Sequence, residues 1–188
     1  MMQTSYTRYL YVGVAALLSW WLVQLTELGG PQGIVVGPHS PDYFSKGYSK
    51  WEMDGQGRLK KQLLTDEIIH FSDDGITHLL NPLISFYRDS TPPWVVGSAS
   101  GVLSADGKEL LLNGKVTIDR AAAAQVRALK INTSNLKVLP ETSYAETKEQ
   151  AELISPPNWT TGIGMKLVFI EPIRLQLLDK VKGEYEKK

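Results

Sequence analysis

Hydrophobic and polar residues alternate along most of the chain after residue 42, as they do in strands that bury one face of a sheet. The clearest case is KELLLNGKVTID at residues 108–119. Its apolar face carries Leu110, Leu112, Val116 and Ile118, and its polar face carries Glu109, Asn113, Lys115, Thr117 and Asp119. The same spacing predicts apolar faces formed by Leu59, Leu63, Ile69 and Phe71, and by Met165, Leu167, Phe169, Ile173, Leu175 and Leu177.

Turn residues divide this region into segments of strand length. Four of these segments are YFSKGYSKWEMD, RLKKQLLTDEIIHF, ITHLLNPLISFYRD and WVVGSASGVLS, and the turns that follow them are GQG, SDDG, STPP and ADG. Such spacing predicts an all-β sandwich, roll or barrel. Pro82 and Pro172 cannot donate to a ladder, so we expect an edge, a bulge or a bend at each. Residues 142–154 fit a short helix or a hairpin, and β structure is favoured.

The start of the chain has a different pattern. Between Arg8 and Glu27 lie 18 residues without a charge. At about 1.5 Å per residue this run is long enough to cross the hydrocarbon core of a bilayer. Trp20 and Trp21 are typical of the aromatic belt at a membrane interface. With Arg8 before the run, the positive-inside rule predicts residues 1–8 in the cytoplasm and the rest of the chain outside.

A cleaved signal peptide is the alternative interpretation of this run. Glu27 and Leu28 occupy positions where signal peptidases require small residues, which favours an uncleaved anchor. Both interpretations export the remainder of the chain. Residues 29–42 contain four glycines and three prolines, as expected of a tether. The predicted organisation is a cytoplasmic stub and transmembrane anchor at 1–28, the tether at 29–42, and a β domain at 43–188.

Composition narrows the range of functions. The chain has 188 residues, with 20 basic and 20 acidic side chains, so nothing in its net charge attracts nucleic acid. It has no cysteine, which excludes disulfides, thiolate metal sites and cysteine nucleophiles. A cysteine-free chain suits an oxidising compartment.

The sequence offers little that resembles a catalytic site. GSASG at residues 97–101 is similar to a nucleophile elbow, but its central position is Ala99 and not serine. GIG at residues 162–164 lacks the third glycine of a dinucleotide-binding loop and is typical of a bulge or turn. We therefore predict no catalytic residues, no cofactor and no enzymatic activity.

One group of potential metal ligands surrounds the SDDG turn. It consists of His70, Asp73, Asp74 and His78. This composition is also ordinary for a turn, and the two histidines need not face each other, so we predict no metal site. His39 lies in the predicted tether and is expected to be solvated.

The order of these features resembles the LptC family of the Gram-negative lipopolysaccharide export machinery. The resemblance extends over about 145 residues, and its strength lies in the order of the motifs, since none of them is highly specific alone. The matching segments are PDYFSKGYSKWEMDGQGRL, HFSDDGITHLLNPLISFY, PPWVV, ASGVLSADGKELLLNGKVTI, LKVLPETSYAET, GIGMKL and LLDKVKGEYE.

The resemblance implies a twisted β-jellyroll in which two sheets stand slightly apart and the groove between them receives the acyl chains of lipopolysaccharide. It implies a single-pass protein of the inner membrane with its domain in the periplasm. The partners that it implies are the inner-membrane ABC transporter of the Lpt system, at the N-terminal edge and the transmembrane helix, and LptA at the C-terminal edge strand. A homodimer formed through the free sheet edges is a further alternative.

The resemblance also suggests which side chains contact lipid. The positions that match the family pattern are Tyr48, Leu79, Leu175 and Tyr185. Further candidates on the apolar faces are Leu63, Ile84, Leu112, Val116, Met165, Leu167 and Phe169, and for all of these positions simple core packing is the alternative. Gly57 and Gly162 match turns of the family, whereas Ser155 stands where the family often has glycine.

Two other functions remain open from the sequence. A membrane-tethered structural adaptor would have the same strands but a fully packed interior without a lipid groove. An exported hydrolase or metal enzyme would depend on His70 and His78.

Overall fold

A computed structural model describes the backbone of residues 3–27, 39–88, 91–124, 126–170 and 172–185. The chain forms two compact units, Met1–Gly37 and Pro38–Lys188. The first unit contains one helix, α1, at Gln3–Glu27. The described side chains of α1, at residues 9–25, are all exposed. Within the described part of the chain, no helix combines the length and the hydropathy of a membrane span.

The second unit is an all-β fold of ten strands, which confirms the predicted class. The strands are β1 Pro41–Met53, β2 Leu59–Phe71, β3 Thr77–Leu80, β4 Leu83–Arg88, β5 Thr91–Leu103, β6 Leu110–Arg120, β7 Leu129–Leu139, β8 Tyr144–Ser155, β9 Asn158–Val168 and β10 Arg174–Glu184. They form one antiparallel sheet in the order β1-β2-β3-β5-β6-β7-β8-β9-β10, and β4 pairs with β2 and β5. The two edges of the sheet are β1 and β10.

The predicted proline effects are visible in this topology. Pro82 is buried between β3 and β4, which continue in the same line between β2 and β5. The prolyl nitrogen has no proton to donate, so the ladder is interrupted there and the predicted single strand becomes two. Pro172 lies in the connection between β9 and β10. Residues 142–154 contribute to strand β8, as favoured from the sequence.

A row of backbone irregularities crosses the sheet near the middle of its strands. We call it the bulge row. Its members with a left-handed φ are Gly47, Asn81, Gly114, Asn135, Gly164 and Lys180. The registers of β5–β6 and β8–β9 shift at the same level, near Ser98 and Thr147. Such bulges bend a strand and increase its twist.

Hydrogen bonds connect neighbouring members of the bulge row. The side chain of Asn81 donates to Asp66 Oδ2 at 2.8 Å, and the Asn81 amide donates to the Ala99 carbonyl at 2.9 Å. The Gly114 amide donates to Asn135 Oδ1 at 3.0 Å. The side chains of asparagines thus replace part of the backbone pairing that the bulges interrupt.

The bulge row divides each long strand into two halves, and the halves form two layers. We define layer A as residues 48–53, 59–65, 83–88, 91–98, 115–120, 129–134, 150–155, 158–163 and 182–184, and layer B as residues 41–46, 67–71, 77–80, 100–103, 110–112, 136–139, 144–147, 165–168 and 174–179. Strands that are distant in the sheet contact each other across these layers. Phe86 of layer A stacks on Phe169, which directly follows the layer B end of β9, with ring centroids 4.5 Å apart. Lys61 Nζ of layer A donates to the carbonyl of Pro140, which directly follows the layer B end of β7, at 3.1 Å.

One apolar core lies between the layers. Its members with no exposed surface are Val96, Leu112, Val116, Ile118, Ile131, Leu136, Val138, Ala145, Ala151, Met165 and Leu167. This confirms the alternation predicted for β6 and for the end of β9. In β2 the prediction is wrong beyond Thr65, because Ile68 is buried and Ile69 and Phe71 are only partly buried. The bend at the bulge row exchanges the inward and outward positions of that strand.

Gly57 has φ +78 in the turn between β1 and β2, where its amide donates to the Asp54 carbonyl. We expect Gly57→Ala to lower the free energy of unfolding by about 1 kcal/mol, because a side chain disfavours left-handed backbone. An added Cβ meets no atom within 4 Å, so sterics with neighbours play no part. Urea unfolding of this variant and of Gly55→Ala, at a position without a positive φ, measures the effect. An equal loss in both variants would contradict the conformational explanation.

Candidate functional site

A cavity of about 240 Å³ lies between the layers at the side of the sheet formed by β1 and β2. Its floor is apolar and its rim is polar. The apolar floor is formed by Leu63, Ile68, Leu79, Ile84, Leu103 and Leu110. The rim is formed by Tyr43, Tyr48, Lys50, Glu52, Lys61, Gln62, Thr77, Gly107, Pro140 and Glu141.

Four of the predicted site residues meet at this cavity: Tyr48, Leu63, Leu79 and Ile84. The sheet brings the last three together directly, because Leu63 pairs with Ile84 between β2 and β4 and Leu79 pairs with Ile68 between β3 and β2. Leu79 and Ile84 line the cavity and are 4% exposed each.

The other predicted lipid contacts lie elsewhere. Leu112, Val116, Met165 and Leu167 have no exposed surface and belong to the closed core, as does Phe169 with 2%. Leu175 is partly buried against this core. Tyr185 is exposed beside the edge strand β10, where its hydroxyl lies 2.9 Å from Thr160 Oγ1.

Sequence reasoning missed several residues of the cavity. Ile68 was overlooked because the alternation in β2 changes at Thr65, whose hydroxyl donates to the Leu80 carbonyl at 2.6 Å. Lys61 was overlooked because a lysine within a strand is usually solvated. Its inward position follows from the parity that it shares with Leu63, which is the signal that could have identified it.

The charged part of the rim is an ion pair between neighbouring strands. Lys61 Nζ lies 2.9 Å from Glu52 Oε2, and Glu52 is the register partner of Lys61. Partial burial acts to raise the pKa of the Glu52 carboxyl, but hydrogen bonds and charges from Lys61 and Lys60 outweigh it, so the pKa is lowered. Glu52 is therefore ionised at neutral pH and holds the buried ammonium group.

An aromatic cluster joins the layers at another position. Phe169 stacks on Phe86 and meets Trp94 edge-on, with ring centroids 5.7 Å apart. The guanidinium carbon of Arg120 lies 4.4 Å from the centre of the Trp94 ring. Burial lowers the pKa of Arg120. Within the described residues its Nε has no hydrogen-bond partner.

The two glycines predicted to have backbone roles differ in their surroundings. Gly57 lies in an open turn. Gly162 is buried in β9, where an added Cβ would come within 3.0 Å of Leu177 Cβ and 3.3 Å of the Asp179 carbonyl. A close approach of β9 and β10 therefore requires glycine at 162. Ser155 donates its hydroxyl to the Ala128 carbonyl at 2.8 Å.

The potential metal ligands are rearranged relative to the sequence prediction. His39 Nδ1 lies 3.1 Å from Asp73 Oδ2 and 3.9 Å from Asp74 Oδ2, so His39 is part of the SDDG turn region and not merely solvated. The hydrogen bond from His39 lowers the pKa of Asp73. His70 instead contacts Thr77 Oγ1 at 2.9 Å, and His78 packs its ring against Phe71. Among the described residues, the ligand atoms that lie close together are those of His39, Asp73 and Asp74, without His70 and His78.

The cavity combines an apolar floor with a charged rim. The rim carries two carboxylates, Glu52 and Glu141, and two lysines, Lys50 and Lys61. The apolar floor complements hydrocarbon, and a buried cation, Lys61, lies at the rim. Such a site matches a ligand with an apolar chain and a polar group at its end.

Comparison with known proteins gives the family. Five solved chains match this chain. One is LptH from Pseudomonas aeruginosa, the LptA-homologous periplasmic component of the lipopolysaccharide transport device; the identity is 7%, the match covers 77% of this chain and 94% of LptH, and the TM-score is 0.48. The chain has no significant match among curated proteins. A family model described as lipopolysaccharide-assembly, LptC-related, matches residues 9–186, which is nearly the whole sequence. The chain therefore belongs to the LptC-related family of lipopolysaccharide-assembly proteins.

Proposed function

We propose that the domain shelters the acyl chains of lipopolysaccharide between layers A and B and passes the lipid from an inner-membrane ABC transporter to the periplasmic protein LptA. The observation that carries this proposal is the cavity with the apolar floor between the layers. Exposing hydrocarbon to water costs about 0.8 kcal/mol per CH₂ group, so a lipid with several chains needs an apolar shelter in an aqueous compartment. Sheltering and passing on the lipid require no catalytic group.

The cavity is smaller than the acyl part of such a lipid would need. Its 240 Å³ lies below the range of about 300–1,000 Å³ that is usual for drug-sized ligands. Loading would therefore require the layers to separate. Only in that open state would Leu112, Val116, Met165, Leu167 and Phe169 contact lipid, as the family resemblance suggests.

The position of the protein in the cell is part of the proposal. We place helix α1 within the inner membrane, with residues 1–8 in the cytoplasm and the β domain in the periplasm. This placement is supported by the run of 18 residues without a charge between Arg8 and Glu27. Of the tether predicted at residues 29–42, residues 29–38 lie outside the described part of the chain, and Pro41 and Asp42 belong to β1. A tether formed by residues 29–38 would keep the cavity close to the site of lipid release and raise its effective concentration there.

The partners would dock at the two ends of the sheet. Strands β1 and β10 are both edges and offer unpaired main-chain groups to a further strand. We assign the N-terminal edge, β1, to the transporter and the C-terminal edge, β10, to LptA, as the family resemblance implies. Strand addition at each edge would form a continuous sheet between the two proteins. A homodimer through one of these edges would compete with that assembly.

Photocrosslinking in cells tests the lipid-binding proposal. We expect a photoreactive residue at position 79 to form adducts with lipopolysaccharide, since Leu79 lies in the floor of the cavity. The matched control is position 80, because Leu80 is the next residue in the same strand and is 47% exposed on the opposite face. Immunoblotting for lipopolysaccharide after irradiation should reveal an adduct at position 79 that is much weaker at position 80.

A structural adaptor without a lipid groove is the second candidate function. The complete burial of Leu112, Val116 and Leu167 favours it, because these side chains already fill the space between the layers. It predicts equal, background-level adducts at positions 79 and 80 together with intact binding to both partners. That combination would reject lipid transfer and keep the family assignment.

A further inference from the structure

Lys61 is a buried lysine at the rim of the cavity. Only 8% of its surface is exposed, although it lies in layer A on the strand next to an edge. Lysine is rarely buried unless it is paired, because removing its charge from water is costly. An apolar residue would fill the same position without this cost.

Two groups hold the ammonium of Lys61 at this position. Glu52 belongs to β1 in the same layer. Pro140, 79 positions after Lys61, directly follows the layer B end of β7. The hydrogen bond that Lys61 Nζ donates to the Pro140 carbonyl holds the ammonium group between the layers, at the cavity that both residues line. Its position is thus defined by both layers and not by its own rotamer alone.

The two members of the ion pair differ in their access to water. The side chain of Lys61 is 10% exposed and that of Glu52 is 42% exposed. The Glu52 side chain can turn to solvent at little cost, whereas the buried Lys61 side chain cannot reach solvent as easily. If Glu52 withdraws, another anion must replace it, because a buried charge without a counter-ion is strongly unfavourable.

We propose that Lys61 recognises the anionic group of an amphiphile whose alkyl chain enters the cavity, and that this group replaces Glu52 as the partner of the ammonium. This inference rests on the proposed lipid-binding function and specifies its ligand chemistry: a phosphate or carboxylate joined to an apolar chain. The chain lies on Leu63, Leu79 and Ile84, and the anion reaches Lys61 at the rim. In the structure Glu52 occupies this anion position, 2.9 Å from Lys61 Nζ.

The test compares an acid and an alcohol with the same chain. The full-length protein in phosphatidylcholine nanodiscs is irradiated with dodecanoic acid or dodecanol, each carrying a diazirine near its methyl end. Mass spectrometry then gives the adduct yield on the peptide that contains Leu79 and Ile84. We expect Lys61→Met to reduce labelling by the acid about tenfold, the loss typical of one charge-assisted contact, and to leave labelling by the alcohol unchanged.

Two further variants complete the design. Lys60→Met removes the same charge from the adjacent exposed position, whose Nζ is 3.6 Å from Glu52, and should change neither yield. Glu52→Gln removes the internal competitor and should raise labelling by the acid only. Equal melting temperatures establish that the variants remain folded.

Three results would overturn the inference. They are an equal change for acid and alcohol in Lys61→Met, an equal effect of Lys60→Met and Lys61→Met, and the absence of any acid preference in the unmodified protein. If lipopolysaccharide adducts at position 79 persist in cells under any of these results, only the role of Lys61 fails. If those adducts are also absent, the lipid-binding proposal fails as well.

Discussion

Replacing Phe169 by alanine is expected to lower the free energy of unfolding by about 3–5 kcal/mol, the range for deleting a large buried aromatic side chain. Phe169 is 2% exposed and contacts Phe86 and Trp94 from the opposite side of the interlayer space. Its loss removes a contact between the layers and leaves a cavity that the rigid strands cannot close. Urea unfolding followed by tryptophan fluorescence measures the change.

Phe44→Ala is the control for this prediction. Phe44 is 69% exposed on β1, and its removal should change the free energy of unfolding by less than about 0.5 kcal/mol. The same experiment separates the two interpretations of Phe169. A side chain that lines an open groove would be nearly as dispensable as Phe44, so a small effect at position 169 would show that the layers stand apart in solution.

Val181→Pro is expected to reduce co-purification of LptA by more than about tenfold, because proline removes a main-chain donor and obstructs strand addition at an edge. Val181 is exposed in β10 and lies at the register shift between Asp179 and Lys182, so it has no register partner in β9. The substitution should therefore leave the domain folded. Affinity purification from cells, with the transporter as a second readout, measures the effect.

The matched control is Val181→Thr, which keeps the β-branched shape and the main-chain donor and should retain LptA. The converse variant is Ser45→Pro in the other edge strand, β1, which should weaken the transporter side and spare LptA. Loss of both partners from either proline variant, at an unchanged melting temperature, would contradict directional docking at the two edges.

The strands were predictable to the extent that they depend on local sequence. The turns GQG, SDDG and ADG separate β1 from β2, β2 from β3, and β5 from β6, and alternation in β6 places Leu110 and Ile118 inside as expected. Glycine and aspartate have intrinsic turn preferences, and alternation depends only on neighbours two positions apart. These local preferences act over a few residues and do not depend on the tertiary arrangement.

The bulge row was not predictable in the same way. Gly47, Gly114 and Gly164 could have indicated it, and so could Asn135, because asparagine tolerates left-handed backbone better than most residues. Lys180 carries no such signal. A bulge in one strand is matched by an irregularity in the next, because the registers of paired strands must agree. The change of inward face in β2 after Thr65 follows from this cooperative feature and not from the sequence of β2.

For the candidate site, the family resemblance selected four residues of the cavity and also residues of the closed core. Leu79 and Leu112 have the same hydrophobic character, yet one lines the cavity and the other has no free surface. The difference arises from what lies opposite each residue. No property of a single strand contains that information.

The sequence by itself determined the all-β class, the places where strands end, the absence of cysteine chemistry and the family to which the chain belongs. The tertiary structure alone decided which apolar side chains close into a core, that Lys61 is buried against the Pro140 carbonyl, and that His39 meets Asp73. The physical reason is range, because turn and strand preferences act between near neighbours. The contact of Lys61 with Pro140 joins residues 79 positions apart and exists only after the two layers face each other. The contact of His39 with Asp73 joins residues 34 positions apart and depends on the pairing of β1 with β2.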